Sequence, residues 1–256
     1  MDTSQLRERF IDTYSTSSEA SVHDLVDQYE SAQAYIAQNP DAGSYAVASA
    51  LGAPRSRVRP WIEDDAMPDA YRGWNTVVTR GWHQLEGKTH LALTRLVAAV
   101  FAGGAISDPT YIPTWSFQND REYDHLVTQL ETVGVGSRRR DRGDGRGPTV
   151  EPRSNQSVFG RLLAARGAPV GSNLNELVIP EYLFKSEYVD GNEAFCETYL
   201  RLRGVDRPSK NIVQIYEQGR TDVFHGDLAT LFTQIYGKES VRRHKKGIFV
   251  ERDVFD

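Results

Sequence analysis

From Thr3 to about Asp64 the apolar positions recur at intervals of three and four, the period of an amphipathic helix. Leu6, Phe10 and Ile11 share one face of a helix over residues 3–14. Val22, Leu25, Val26, Tyr29, Ala32 and Ile36 predict a second helix from near Ser21 to Gln38. Asn39-Pro40-Asp41 ends it, because proline cannot continue the hydrogen-bond ladder. Ala46, Val47, Ala50 and Leu51 mark a short third helix, stopped by Gly52, which accepts a left-handed conformation cheaply. Pro54 suits the first turn of a fourth helix, which carries Arg55, Arg57 and Arg59 and offers Val58, Trp61 and Ile62 to a core. Pro60 loses a hydrogen bond and clashes one turn back, so this helix is either very short or kinks before Trp61. A further helix is expected over Asp69–Arg80, ending at Gly81.

From about Lys88 the pattern alternates between helix-like and strand-like segments, and does so in two passes. The first predicts a helix at Leu91–Phe101, extended chain at Tyr111–Phe117, a helix at Glu122–Val133, a hairpin tip or mobile loop at Arg138–Gly147, a strand at Thr149–Pro152 and a helix at Val158–Arg166. The second predicts a helix at Asn192–Arg203, a strand at Asn211–Glu217, a helix at Asp222–Tyr236 and a strand pair at Ser240–His244 and Gly247–Arg252. The expected class is therefore α+β. An all-α domain occupies residues 1–67, a linker or helix residues 68–87, and a repeated αββαββα domain residues 88–256, with halves of about 88–170 and 186–256.

Composition changes this picture little. At 39% hydrophobic and 25% charged residues, the chain reads as an ordinary soluble one. It has no apolar run long enough to cross a bilayer and no signal-peptide core at its start, so a cytoplasmic protein is expected. One cysteine, Cys196, excludes an internal disulfide and a cysteine-rich zinc site; on a buried helix face it is expected to pack rather than react. The net charge of −5 hides an acidic start and a basic middle, the latter carrying Arg138, Arg139, Arg140, Arg142, Arg146, Arg153, Arg161 and Arg166. That asymmetry fits a polyanion partner as well as it fits a solvated arginine-rich loop. None of the six histidines has metal-site spacing, and each is expected at the surface or at a cap; Gly103-Gly104 lacks the surroundings of a phosphate loop.

The segment Gly43–Asp64, GSYAVASALGAPRSRVRPWIED, resembles a helix-turn-helix of the AxxLGVSRSTVxRWL kind. The resemblance places its second helix in a DNA major groove, with Arg55, Ser56, Arg57 and Arg59 as candidate base or phosphate contacts. Residues 96–106, LVAAVFAGGAI, resemble the LAGLIDADG motif of homing endonucleases, and Phe195–Gly204 resembles a degraded second copy. Residues 160–172 are similar to the segment that commonly precedes that second motif. The resemblance covers roughly Lys88 to the C-terminus. It implies two motif helices packed at the centre of a DNA-facing saddle, with an acid before each terminal glycine to hold a divalent metal.

Those acid positions are Gly103 and Arg203 here, so no nuclease activity, cofactor or metal is expected; Asp108 and Asp206 lie beyond the helix ends. Sporulation regulators of the WhiA type also join a degenerate LAGLIDADG domain to a helix-turn-helix, in the reverse order. The acidic, alanine- and arginine-rich style suggests a haloarchaeal source. The basic turns supply the remaining candidate DNA contacts: Arg138, Arg139, Arg140, Arg142 and Arg146 in one half, Arg242, Arg243, Lys245 and Lys246 in the other. The expectation is a sequence-specific binder of double-stranded DNA, a transcription regulator, with a homodimer mate or a transcription-machinery protein as further partner. The alternatives are a metal-dependent homing-type endonuclease with displaced acids and a protein- or RNA-interaction module.

Overall fold

The computed structural model describes residues 1–17, 19–141, 147–171, 177–216, 219–244 and 247–252. The protein is α+β, with helices before and between two antiparallel sheets.

The N-terminal helices start where side chains satisfy their orphan amides. Asp2 caps α1 (Thr3–Ile11) and Ser21 caps α2 (Val22–Gln38), each in a reciprocal box, with Gln5 and Asp24 respectively. Then follow α3 (Ser44–Leu51) and α4 (Arg55–Glu63), joined through Gly52 at φ 59°. The left-handed turn is one that glycine adopts without strain. Tyr29, Ala32, Val47, Ala48, Val58 and Trp61 close a small core among α2, α3 and α4, where the Tyr29 ring meets Trp61 edge-on at 5.6 Å.

Two expectations about α4 need correction. Pro54 caps the helix from just outside rather than filling its first turn, and the helix runs through Pro60 to Glu63 instead of stopping or breaking before Trp61. The ring removes the amide that would bond the Ser56 carbonyl, but Ser56 is exposed, so water can serve that oxygen.

The remaining helical lead-in belongs physically to a larger core. Leu6 and Phe10 of α1 are buried there with Val77 of α5 (Asp69–Thr79) and with Trp82. Trp82 Nε1 donates to the Val133 carbonyl at 2.9 Å and Arg80 Nη1 to the Gly134 carbonyl at 2.8 Å, which ties residues 69–82 to the sheet-bearing body.

That body is built twice. The first copy runs α6 (Gly87–Phe101), β1 (Ala105–Ile106), β2 (Pro113–Ser116), α7 (Asp120–Thr132), β3 (Ser137–Arg140), β4 (Thr149–Pro152) and α8 (Gln156–Ala165). The second runs α9 (Val189–Arg203), β5 (Gly204–Arg207), β6 (Ile212–Tyr216), α10 (Asp222–Tyr236), β7 (Val241–His244) and β8 (Gly247–Glu251). The strand orders are β1-β2-β4-β3 and β5-β6-β8-β7, the same arrangement in each. The pairings Trp115 with Val150 with Arg139, and Ile215 with Ile248 with Arg243, put the copies in register. By that register Gly104 corresponds to Gly204, and Gly103 to Arg203.

Helices α6 and α9 pack side by side and run in the same direction. His90 near the start of α6 meets Gly191 near the start of α9, Arg95 Nη2 lies 3.8 Å from Glu197 Oε2, and the Phe101 and Phe195 rings meet at 5.7 Å. A Cβ on Gly191 would stand 3.2 Å from His90 Nε2, so the close approach depends on that glycine. Cys196 is fully buried on α9, and burial pushes its thiol up, as expected of a packed rather than reactive cysteine.

Three surface expectations are overturned. His90 and His225 are buried, because α6 and α10 are covered on more faces than a two-sided helix pattern implies. Arg166, part of the basic middle that fits a polyanion site or a solvated loop, is 0% exposed. Arg161 lies between the rings of Tyr14 and Tyr111, 4.0 and 4.1 Å from their centroids, and bonds the Thr13 carbonyl, joining α1 to α8.

Helix α8 approaches the β1–β2 connection so closely that a Cβ at Gly160 would run into the Tyr111 carbonyl. Backbone cannot yield there as a flexible side chain can. Gly160→Ala is therefore expected to cost about 3 kcal/mol of stability; a urea midpoint unchanged from the parent protein would show that the two segments are not in contact.

Candidate nucleic-acid interface

Helix α4 carries the first candidate set. Arg55, Ser56 and Arg59 are exposed, and Arg57 is partly covered. Their geometry is fixed by neighbours that the sequence pattern did not single out. Arg57 Nη1 donates to Gln28 Oε1 on α2 at 2.8 Å. Arg59 Nε donates to Glu63 Oε2 at 2.7 Å, one helical turn on. The buried Ser44 hydroxyl donates to the other Glu63 oxygen at 2.7 Å and accepts from Arg55 Nε at 3.3 Å. Hydrogen bonds from Arg59 and then Ser44 hold the Glu63 carboxyl below the ordinary carboxylate range. One acid thus organises Arg59 directly and Arg55 through Ser44.

The second set lies on the sheets, and strand alternation sorts it. Side chains two apart on a strand share a face, and directly paired residues do too. Arg138 and Arg140 therefore stand with Ser116, Thr149 and Glu151 on the face turned away from the helices. Both guanidiniums donate through Nε to a single Glu151 oxygen, at 2.6 and 2.8 Å. Burial pushes the Glu151 carboxyl up, and these two hydrogen bonds outweigh it, leaving it below the usual range. In the second sheet Arg242 holds the matching place and pairs with Glu251 Oε1 at 2.6 Å.

Arg139 and Arg243, expected in a hairpin tip or basic turn, lie instead within strands β3 and β7. Both point to the helix side of their sheets. Arg139 covers Phe117 and Tyr123, its guanidinium 5.3 and 5.7 Å from their rings, while Arg243 Nη2 donates to the Asp222 carbonyl at 2.8 Å. Arg142, Arg146, Lys245 and Lys246 lie outside the described residues. Arg207 and Lys210, exposed and beside Arg242, join the open face of the second sheet around a concavity of about 400 Å³. Nothing in the local pattern of Gly204–Arg207 marked a strand there, so these two cations were missed.

The ends of α6 and α9 differ in backbone. Gly103 sits at φ 123°, whereas Arg203 is still helical. Gly104 and Gly204 each occupy a place with no room for a side chain: a Cβ would come 2.6 Å from Trp115 Cδ1 in one and 2.7 Å from Val213 Cγ1 in the other. Asp206 is paired with Arg252 Nη1 at 3.3 Å. Among the described residues no three His, Cys, Asp or Glu side chains gather at one point, and no helix is long and apolar enough to cross a membrane. Neither a protein-family model nor a curated protein matches the chain.

Proposed function

We propose that this protein binds double-stranded DNA at specific sequences and acts as a transcription regulator. In this reading α3 and α4 form a helix-turn-helix, and the repeated half is a LAGLIDADG-like domain that no longer cuts. The observation that carries it is α4: a helix that starts with Arg55-Ser56-Arg57, set across a glycine turn from α3, with its arginines oriented by Gln28, Ser44 and Glu63. Arginine and serine early in such a helix are the groups that reach base edges and phosphates. The arginine-bearing open faces of the two sheets supply further phosphate contacts, which position a protein on DNA without reading sequence. A homodimer mate or a transcription-machinery protein belongs to the same proposal.

The silent-nuclease part rests on the two positions before the paired glycines. An aspartate at 103 would have to adopt a backbone that L side chains rarely take, and Arg203 brings a cation where a metal would have to sit.

Arg57→Ala is expected to weaken specific duplex binding by about 1–3 kcal/mol and to relax the preference at one base position. Arg138→Ala is expected to weaken binding to all duplexes alike and to flatten the salt dependence by about one unit of log–log slope. Titration of labelled duplexes at several stated salt concentrations checks both. Equal affinity of the Arg57 variant for every duplex would take α4 off the recognition surface.

A further inference from the structure

The two sheets are alike in topology and unlike in chemistry on their open faces. In the first sheet, the row Ser116–Thr149–Arg140 and its neighbour Glu151 are all polar. The corresponding places in the second sheet hold Tyr216, Gly247, His244 and Phe249. Three polar positions have thus become three rings. The His244 and Phe249 rings lie 5.7 Å apart. Tyr216 is 44% exposed. Gly247, between Tyr216 and His244 in the strand pairing, contributes no side chain, so the two rings stand two inter-strand spacings apart, roughly 9–10 Å.

Cations border the Phe249 ring. Arg207, Lys210 and Arg242 line the concavity with Ile212, Gln214 and Phe249. Among the described residues, the one acid lining the concavity, Glu251, is already paired with Arg242. The surplus is positive, and it stands beside flat apolar surface. Rings that accept the π-face of a base, beside cations that follow a phosphate chain, are the elements of single-strand recognition. A duplex hides its base faces and has no use for exposed rings.

We propose that the open face of the second sheet binds unpaired DNA, stacking bases on Phe249 and Tyr216 while Arg207 and Lys210 hold the backbone. The choice of DNA over RNA rests on the reading of the chain as a DNA-binding protein; the stacking site itself does not. The protein would then hold a duplex through α4 and a melted or flanking single strand through this sheet.

The test is fluorescence anisotropy of a labelled oligothymidylate about twelve nucleotides long, within the usual span of single-strand sites. It is titrated with the full chain at one stated salt concentration, beside oligouridylate and a duplex. Phe249→Leu and Tyr216→Leu keep an apolar side chain and remove the ring; thermal melting reports whether each variant is folded. Each is expected to weaken oligothymidylate binding about tenfold, and Arg207→Ala to reduce its salt slope by about 0.7. Tyr216→Leu should leave duplex affinity within twofold, and Arg57→Ala should leave oligothymidylate affinity unchanged. Absence of oligothymidylate binding, indifference to both ring substitutions in folded protein, or tighter binding of oligouridylate would overturn the proposal. So would self-association, seen by sedimentation, that both ring substitutions abolish, since a second copy would then own the face. Loss of the duplex effect of Arg57→Ala removes the helix-turn-helix reading and leaves the oligothymidylate result standing or falling on its own.

Discussion

Arg166→Ala is expected to lower the free energy of unfolding by about 4 kcal/mol, a large fraction of a typical domain's stability. Arg166 is fully buried at the C-terminal end of α8. Its Nη2 donates to the carbonyls of Trp82 and Gln84, both at 2.9 Å, and its Nη1 lies 3.1 Å from His90 Nδ1. Its own carbonyl accepts the Tyr182 hydroxyl at 3.1 Å. One side chain therefore ties the α5–α6 connection, the central helix α6 and α8 together. Alanine would strand two buried acceptors, the Trp82 carbonyl and His90 Nδ1, each costing about 1–3 kcal/mol, and would leave a cavity besides.

An opposing effect keeps the loss from being larger. No carboxylate is among these partners, and burial pulls the Arg166 guanidinium down to about 10, so removing it also relieves a desolvated charge. Arg166→Met refills most of the volume without the donors and is expected to lose about 2–3 kcal/mol. Urea unfolding of the parent protein and both variants checks the ranking. A loss below about 1 kcal/mol for alanine would mean that water replaces the guanidinium, and that the junction is not sealed.

Acid is expected to destabilise the protein in a window set by two histidines. Burial, and then the charge of Arg166, pulls His90 down to about 4. Burial, with Arg201 and Arg95 nearby, does the same to His125, whose Nε2 lies 3.2 Å from the Thr198 hydroxyl. Both are neutral in the folded protein at pH 6, where an unfolded histidine begins to take up a proton near 6.5. The unfolded chain then binds more protons, so stability falls as pH drops below about 6.5 and stops falling on this account near pH 4. The full shift corresponds to about 3 kcal/mol for each ring, and allowing for partial solvent screening about 2 kcal/mol each. Glu63 and Glu151, both held below the ordinary range, extend the loss at lower pH, from about 4.5 downward. Urea midpoints between pH 7 and pH 4 should fall steadily, and His125→Gln should remove about half of the slope. A flat profile across that range would place both rings in water.

The sequence revealed long elements better than short ones, and patterns better than partners. Helix α10 has the bounds its apolar period implies, and Ser21 announces α2, because both signals are local. Strands β1 and β5 were invisible: Ala105–Ile106 is two residues long, and Gly204-Val205-Asp206-Arg207 has no apolar alternation, its pairing being made by the helix that delivers it. Had β3 been read as a strand rather than a hairpin tip, the opposite directions of Arg139 and its two neighbours would have followed from a period of two. Arg166 is a different kind of miss. Its carbonyl partners, Trp82 and Gln84, come from a turn more than eighty residues away, and a run of basic residues carries no sign of which one turns inward. The same holds for Gln28, the residue that orients Arg57 from another helix. The paired glycines 104 and 204 were seen as motif ends, but the absence of room for a Cβ at either is visible only in three dimensions.

The central claim is that α4 reads duplex sequence and that the repeated domain does not cut. The most direct test is selection of bound duplexes from a random library at a fixed salt concentration with magnesium present, followed by sequencing of bound molecules and of any new ends. The expected result is one enriched motif, no new ends, and loss of enrichment at one or two positions of that motif when Arg57→Ala is used in place of the parent protein. Binding without enrichment, or new ends at a recurring site, would contradict it.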